Sequence, residues 1–333
     1  MDQEYRDKLA KLRCEIFSII APLITGDAHL TNLPYHSNLG DSLIWQGTED
    51  FLTETGHKIL SRSSFLSCRF PKVKPDDVII LNGGGNFGDI WRMIMDFIIR
   101  VTETYPHNRI ILLSQSAWYD NPNQIEADAK ILARHRDLHL VARDEVTYNL
   151  FQTHFSDNPS YLAPDMAFAI KPDRLMDWQM LPPSKGTLYL RRIDKEWDPK
   201  TEITIPDALV TDWPTISSPG IIEKCYFAAL NRTMYKIGHS ATKDLIYWPI
   251  VEMSSRPMIL NRFLKRGSEF ILPYSRIVTT RLHVLILATL LGRQVEYIDN
   301  ITGKLSAFVN TWLTDFPNIK PYEAQTLVGS SNV

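Results

Sequence analysis

The chain has 333 residues, which is enough for two domains that each bury a core of their own. Its 36 Lys and Arg residues against 38 Asp and Glu residues give a formal charge of −2, so no general electrostatic attraction to nucleic acid or anionic lipid is expected. With 44% hydrophobic and 22% charged residues, the composition excludes a disordered, fibrous or membrane-spanning chain.

Cysteines and apolar runs indicate the compartment. Cys14, Cys68 and Cys225 lie far apart without a CxxC pair, and no HExxH motif occurs, so we expect no disulfide framework, no metal and no cofactor. The apolar run 16–24 lacks the basic lead-in and cleavage pattern of a signal peptide, and the longest run, 282–291, is about half of what a bilayer needs. We expect a cytoplasmic protein with at most peripheral membrane association.

The first half of the chain alternates between helical and strand patterns. In chain order, the predicted elements are a helix ending near residue 22, a strand over 28–33, a helix over 43–51, a strand over 78–82, a helix over 90–105, a strand over 109–114, a helix over 125–135, a strand over 138–143, a helix over 146–155 and a short strand over 161–163. This alternation indicates parallel βαβ units and not a sandwich or a bundle.

The second half repeats the pattern after a proline-marked break at 172–185, which predicts a linker. A strand over 187–191 starts the new set of elements, and the proline-rich, polar stretch 197–219 predicts a long surface loop. We therefore predict an α/β fold of two Rossmann-like domains with parallel sheets, 1–180 and 186–315, and a C-terminal tail over 316–333. The active site is expected in the cleft between the two domains.

A glycine-rich segment, Gly83 to Asp89, matches GxGxxG between a predicted strand and a predicted helix. That context suits a dinucleotide, but this is not the first strand–turn–helix of the chain, and the next strand ends in Ser114-Gln115 without a ribose-binding acid. We therefore favour a glycine loop that lines another kind of ligand over a nicotinamide site. A tight structural turn stays as an alternative.

Two further motifs follow predicted strands. Asn38-Leu39-Gly40-Asp41 either caps the next helix or lines a ligand crevice, where Asp41 and Asp89 would face each other. Arg143 follows the strand 138–142 and either pairs with the adjacent Asp144 or contacts an anion. The residues alone do not decide between these interpretations.

The segment before the apolar helix 284–291 carries the most information. Thr279 or Thr280 is the predicted N-cap, which places Arg281 and His283 in the first turn, where the helix dipole already favours an anion. Buried cations need a partner, so either a bound phosphate or carboxylate or an internal salt bridge is implied, and we favour the anion site.

These motifs together resemble the polysaccharide pyruvyl transferase family. The matching stretches, in the family's order, are Asn38 to Asp41, Gly83 to Gly85 with Phe87 and Asp89, Arg143-Asp144, Asp165 to Phe168, Thr280 to His283, and Asp299-Asn300 with Gly303-Lys304. The resemblance implies a two-domain fold like that of GT-B glycosyltransferases, with the acceptor on the N-terminal domain and the donor on the C-terminal domain. It implies an enzyme that transfers a pyruvyl group from phosphoenolpyruvate to two hydroxyls of one hexose, in a surface polysaccharide or its lipid-linked precursor, to form a cyclic ketal.

The resemblance also implies roles for individual residues. Arg143, Arg281 and His283 are associated with the phosphoenolpyruvate site, and Lys304 is a further cation for it. His283 is our candidate acid or phosphate-stabilising group, and either Asp41 or Asp89 is the candidate base. The remaining expected substrate contacts are Asn38, Gly84, Gly85 and Asn300.

Two other functions fit the same residues. One is a GT-B glycosyltransferase that uses a nucleotide sugar, and the other is a non-catalytic glycan-binding protein. Trp118-Tyr119, after a predicted strand, either stacks on a sugar ring or belongs to the core. The partners we expect are phosphoenolpyruvate and a glycan, with no nucleic acid, and the sequence predicts no oligomeric state.

Overall fold

Two parallel β-sheets with surrounding helices form the structure, a computed structural model that describes residues 1–175, 182–236 and 241–323. The strands are β1 (Ala28–Thr31), β2 (Ile59–Arg62), β3 (Val78–Leu81), β4 (Gly84–Gly88), β5 (Ile110–Trp118), β6 (Leu138–Ala142), β7 (Ser160–Leu162), β8 (Lys185–Leu190), β9 (Ala208–Thr211), β10 (Tyr274–Thr279), β11 (Val295–Tyr297) and β12 (Ile319–Pro321). The helices are α1 (Gln3–Ile20), α2 (Leu39–Glu54), α3 (Arg92–Thr104), α4 (Pro122–Leu132), α5 (Glu145–His154), α6 (Pro214–Ser217), α7 (Ile221–Lys236), α8 (Ala241–Ile271), α9 (Leu282–Leu290) and α10 (Lys304–Trp312).

The first sheet, among the described residues, has seven strands in the order β2-β1-β3-β5-β6-β7, with β4 paired to β5. Every recorded strand pair in it is parallel. β3 is buried throughout, because its alternate residues belong to two different hydrophobic clusters, Val78 and Ile80 to one and Ile79 and Leu81 to the other. The predicted α/β class with parallel sheets is confirmed.

The glycine-rich segment differs from the predicted loop, because Gly84–Gly88 forms a strand against β5. Gly88 makes this pairing possible: it has φ 126°, and a Cβ there would lie 1.8 Å from the carbonyl oxygen of Trp118. The glycines thus bring one backbone strand close to another. Helix α3 consequently begins at Arg92 and not at residue 90.

The second sheet has the order β12-β11-β10-β8-β9 within the described residues, again with parallel pairs. Two of its strands lie where none was predicted. β9 falls inside the stretch 197–219, which is therefore not simply a surface loop. β12 falls inside the predicted tail 316–333, so that segment begins with a strand of the sheet, and residues 324–333 lie outside the described part.

The two halves of the chain share one hydrophobic cluster. Phe168 and Phe308 stack at 6.1 Å between ring centroids, and the Tyr5 hydroxyl of α1 donates to the Thr289 carbonyl of α9 over 2.8 Å. Helix α8 approaches α2 closely at Gly267, where a Cβ would lie 2.7 Å from Leu39. The predicted linker 172–185 includes residues 176–181, which lie outside the described residues.

Candidate active site

A cavity of about 620 Å³ lies at the carboxyl ends of both sheets. Eight of the ten predicted site residues line it: Asn38, Asp41, Gly85, Asp89, Arg143, Arg281, His283 and Lys304. The other two, Gly84 and Asn300, do not line it. Gly84 pairs with Gln115 in the sheet, and Asn300 is buried and donates to the Glu196 carboxylate over 2.8 Å. Carboxyl ends of parallel strands are where α/β folds bind ligands.

The loop before α2 caps the helix and lines the cavity as well. Asn38 is the N-cap, because its Oδ1 accepts from the Gly40 amide over 3.2 Å, and its Nδ2 donates to Asp41 Oδ2 over 2.8 Å. The second oxygen of Asp41 lies 3.7 Å from His283 Nδ1, and His36 Nε2 lies 3.6 Å from Oδ2. The carboxylate of Asp41 therefore stands next to two imidazoles.

His283 lies between carboxylates from the first half of the chain. Its Nε2 is 3.5 Å from Asp165 Oδ2 but makes no hydrogen bond, although the residue is only 8% exposed. Gly40 allows this approach, because a Cβ there would lie 2.8 Å from His283 Cβ. Nε2 therefore faces the buried Asp165 carboxylate at the limit of hydrogen-bond distance, while Nδ1 faces Asp41.

The start of α9 differs from the prediction. Arg281 itself occupies the N-cap position, while Thr279 belongs to β10 and Thr280 accepts from the Arg192 amide over 2.9 Å. His283 is thus the second residue of the helix, where free backbone N–H groups still favour negative charge.

Arg281 is engaged by carboxylates of its own half. Its Nε and Nη2 both donate to Asp212, with Nη2 to Oδ2 at 2.6 Å, and Nη2 also lies 3.2 Å from Asp194 Oδ2. Of the two partners left open for this buried cation, the structure therefore shows the internal salt bridge. A carboxylate replaces the water lost on burial, as Asp165 does for Arg143 and Glu196 does for Lys304. Arg281 also lines the cavity, and its contact with a bound anion stays a prediction.

Arg143 does not pair with its neighbour Asp144, which instead caps α5. The guanidinium is 1% exposed and donates from Nε to Ser116 over 2.8 Å and from Nη1 to Asp165 over 2.7 Å. Burial alone would raise the pKa of Asp165, but His283 and Arg143 beside it hold that pKa well below its usual range. Asp165 is thus an anionic anchor for both basic groups.

Gly85 separates two cations of the site. A Cβ at Gly85 would lie 3.2 Å from Arg143 Nη2 and equally 3.2 Å from Lys304 Nζ, so both point at the same small volume. With only a hydrogen at Gly85, this volume is open to the cavity. Two cations that converge over a bare backbone form a suitable place for an oxyanion.

Glu196 connects the loops that hold these cations. Its carboxylate accepts from Arg192 Nη1 over 2.6 Å, from Trp91 Nε1 over 3.2 Å, from Asn300 and from Lys304 Nζ. Burial lowers the pKa of Lys304 to about 8, although Glu196 opposes the shift. Burial alone would raise the pKa of Glu196, but Lys304 and Arg192 lower it below its usual range. Lys304 is therefore a cation at neutral pH that loses its proton at a lower pH than an exposed lysine does.

Asp89, the other predicted base, has a different environment. Its Oδ2 accepts from the backbone amides of Asp120 and Asn121 over 2.8 Å and 2.9 Å, which holds the loop after β5. Its Oδ1 is buried and makes no hydrogen bond. One oxygen is thus committed to the fold, while the residue still lines the cavity.

Sequence reasoning missed Arg192, Asp194, Glu196 and Asp212. The first three follow β8, so the rule that strand ends carry ligand-binding residues would have found them. Asp212 follows β9, which a polar, proline-rich sequence conceals. No local pattern links Asp212 to Arg281, because 69 residues separate them.

Within residues 1–175, 182–236 and 241–323, no group of three or more His, Cys, Asp or Glu side chains is arranged to hold a metal ion. His135 and His139, four residues apart, bind instead to the Tyr105 carbonyl and to Asp137. Over the same ranges, every helix is too short or too polar to cross a bilayer.

Two parallel sheets and a charge-lined cavity at their strand ends define an α/β protein of two Rossmann-like units. A solved structure of an uncharacterised protein from Klebsiella pneumoniae has the same fold, with a TM-score of 0.61 at 18% identity over 94% of this chain and 99% of that one. The family model of polysaccharide pyruvyl transferases matches residues 38–300.

Curated relatives agree with this match. The chain is 30% identical to the putative pyruvyl transferase EpsO of Bacillus subtilis over 86% of this chain and 85% of that protein. It is 25% identical to pyruvyl transferase 1 of Schizosaccharomyces pombe over 85% of this chain and 69% of that protein. The chain belongs to the polysaccharide pyruvyl transferase family, and the prediction of an enzyme of that class is confirmed.

Proposed function

We propose that this enzyme transfers a pyruvyl group from phosphoenolpyruvate to two hydroxyls of one hexose, with formation of a cyclic ketal and release of phosphate. The observation that carries the proposal is the convergence of Arg143 Nη2 and Lys304 Nζ on the open volume at Gly85. Phosphoenolpyruvate has a phosphate and a carboxylate on three carbons, so it requires cations from separate loops, and an arginine can bind either group bidentately.

His283 is the proposed acid. It lines the same cavity as Arg143 and Lys304, and its two ring nitrogens lie 3.7 Å from Asp41 Oδ1 and 3.5 Å from Asp165 Oδ2. In the reaction, a proton is added to the methylene carbon of phosphoenolpyruvate, which becomes a methyl group and leaves an electrophilic, oxocarbenium-like carbon at C2. A carboxylate on each side of His283, from Asp41 and from Asp165, can partner the imidazolium that delivers this proton.

The two sugar hydroxyls then add in turn to C2. The first hydroxyl attacks C2 and gives its proton to a base. The C2–O bond to phosphate breaks next, and phosphate leaves with a proton. The second hydroxyl attacks the renewed oxocarbenium centre and loses its proton, which closes the ketal. One proton is gained at the methyl carbon and one by phosphate, and the two hydroxyls supply both.

Asp41 is the base that the geometry favours over Asp89. Asp41 Oδ1 lies 3.7 Å from His283 Nδ1, so a proton accepted there is close to the group that delivers one. Asp89 uses one oxygen to hold two backbone amides of the loop after β5. Asp41 also commits one oxygen, which accepts from Asn38 Nδ2, so its position beside His283 is what favours it as the base.

Arg281 takes a supporting role in this proposal. Because Asp212 and Asp194 already bind its guanidinium, it positions these carboxylates and the start of α9 near His283. The donor anion then lies between cations of both halves, Arg143 from the first and Lys304 from the second, and not on the second half alone. The acceptor is a hexose of a surface polysaccharide or its lipid-linked precursor, and the reaction takes place in the cytoplasm.

The test measures donor use directly. The purified enzyme is incubated with an acceptor glycan and either phosphoenolpyruvate or a nucleotide sugar, and the release of phosphate or nucleotide is followed. The proposal predicts glycan-dependent phosphate release from phosphoenolpyruvate and a new ketal methyl signal in the NMR spectrum of the glycan. Nucleotide release instead would indicate a glycosyltransferase, and glycan binding without turnover of either donor would indicate a binding protein.

A further inference from the structure

A second cavity of about 290 Å³ adjoins the first. The two cavities share the wall formed by six residues: Gly85, Asn86, Ile90, Trp91, Glu196 and Lys304. Two residues of this wall, Gly85 and Lys304, also border the volume in which the donor anion is proposed to lie. A molecule in the second cavity would therefore be next to the reacting groups without occupying their place.

The charges around the second cavity are already paired. Asp144 accepts from the Thr147 amide over 2.8 Å and from the Ser116 hydroxyl over 2.6 Å, and Glu196 holds Lys304. The rest of the lining is apolar or carries neutral polar groups: Ala117, Trp118, Val146, Thr302, Ser306 and Asn310. Among the described residues of this lining, Lys304 is the one cation, and it is shared with the first cavity. The lining away from Lys304 therefore suits a neutral molecule that carries hydroxyls.

Trp118 offers a fixed aromatic face in this cavity. Its indole N–H donates to Asp120 over 2.9 Å, and its backbone is held against Gly88. The neighbouring Tyr119 packs on Phe87 in the core, whereas no ring contact is recorded for Trp118 across the described residues. An indole that is fixed but not covered by another ring can stack on the apolar face of a pyranose.

Asn86 stands at the junction of the two cavities. It lines both, and in the described ranges no hydrogen bond is recorded for its side-chain amide. An amide offers a donor and an acceptor to hydroxyls on either side. It is therefore placed to contact a glycan that extends from one cavity into the next.

We propose that the second cavity binds a neutral pyranose ring stacked on Trp118, namely the sugar unit next to the one that receives the pyruvyl group. This inference rests on the proposed function, because it assigns the first cavity to the donor and the reacting sugar. The volume of about 290 Å³ is at the lower end of the usual range for ligand pockets, which fits one ring and not an oligosaccharide.

The test measures sugar binding by NMR titration with the methyl pyranosides of galactose, glucose and mannose. At least one is expected to bind the wild type, equally well with and without saturating phosphoenolpyruvate. Trp118→Ala should weaken it about tenfold or more, as truncation of a central aromatic contact does. Trp118→Phe, which keeps a ring, should stay within about threefold, and Leu209→Ala, an exposed control outside both cavities, should not differ from wild type.

A second variant guards against misfolding of Trp118→Ala. Ala307→Phe fills the same cavity from the surface of α10 and should weaken the sugar to a similar extent. The inference is overturned when no pyranoside binds, when phosphoenolpyruvate displaces the sugar, or when both variants bind it like Leu209→Ala. Failure of the proposed function shows separately, as an absence of phosphoenolpyruvate binding to the wild type.

Discussion

Gly85→Ala tests the donor site with the smallest possible change. The added methyl group would lie 3.2 Å from both Arg143 Nη2 and Lys304 Nζ, closer than ordinary van der Waals contact. It occupies the volume in which an anionic oxygen meets both cations. Gly85 does not have a positive φ, so alanine fits its backbone conformation.

The magnitude follows from the distances. A charge-assisted contact has a donor–acceptor distance of about 2.8 Å, and the methyl group forces the oxygen out to about 4 Å. At an effective dielectric constant of about 20, that displacement weakens the attraction to one cation by about 2 kcal/mol. Counting one cation alone, the dissociation constant for phosphoenolpyruvate should rise about 30-fold.

Isothermal titration calorimetry with phosphoenolpyruvate is the assay. Gly186→Ala is the matched control, because a Cβ at Gly186 would meet no atom within 4 Å. Thermal melting checks that both variants fold. The reasoning is refuted when Gly85→Ala binds phosphoenolpyruvate as tightly as wild type and Gly186→Ala, since the anion would then lie elsewhere.

Three further predictions concern the carboxylates of the site. Glu196→Gln removes the negative charge that stabilises protonated Lys304, so the pKa of Lys304 should fall below about 8. The affinity for phosphoenolpyruvate should then begin to decrease at a pH about one unit lower than in the wild type, and calorimetry between pH 6 and 9 that finds no shift contradicts this. Asp41→Asn should reduce phosphate release about 100-fold or more and Asp89→Asn less than tenfold, whereas near-normal turnover of both variants means that neither is the base. Asp165→Asn leaves a buried guanidinium without its anion and should lower the free energy of unfolding by about 3–5 kcal/mol in a urea titration, and a loss under 1 kcal/mol counts against the ion pair.

Local patterns predicted the fold class and most of the elements of the first half. β3 was predictable because a run of apolar, mostly β-branched residues has few alternatives to a buried strand. β4 was not, because its glycines have low intrinsic strand propensity and its pairing with β5 includes a close approach of Gly88 to Trp118 that no local pattern indicates. β9 was not predicted either, because it lies within a polar, proline-rich stretch that is typical of a loop.

The candidate site shows the same division. The positions of Asp41, Arg143, His283 and Lys304 after predicted strands, together with the family resemblance, predicted these residues as parts of one site. The structure places all four in the lining of one cavity, and their roles stay predictions. The pairing of Arg281 with Asp212 was out of reach, because a salt bridge between distant segments depends on the tertiary fold and leaves no local pattern. A sequence thus indicates which cations converge, but not which carboxylates pair with each of them.

The central claim is that Arg143 and Lys304 hold the donor anion over Gly85, within reach of His283. A crystal structure of the enzyme with phosphoenolpyruvate tests it most directly. The account predicts phosphate or carboxylate oxygens in hydrogen-bond contact with Arg143 Nη2 and Lys304 Nζ, and the methylene carbon facing the His283 imidazole. Phosphoenolpyruvate bound away from Gly85, with Arg143 and Lys304 still paired only to Asp165 and Glu196, would contradict it.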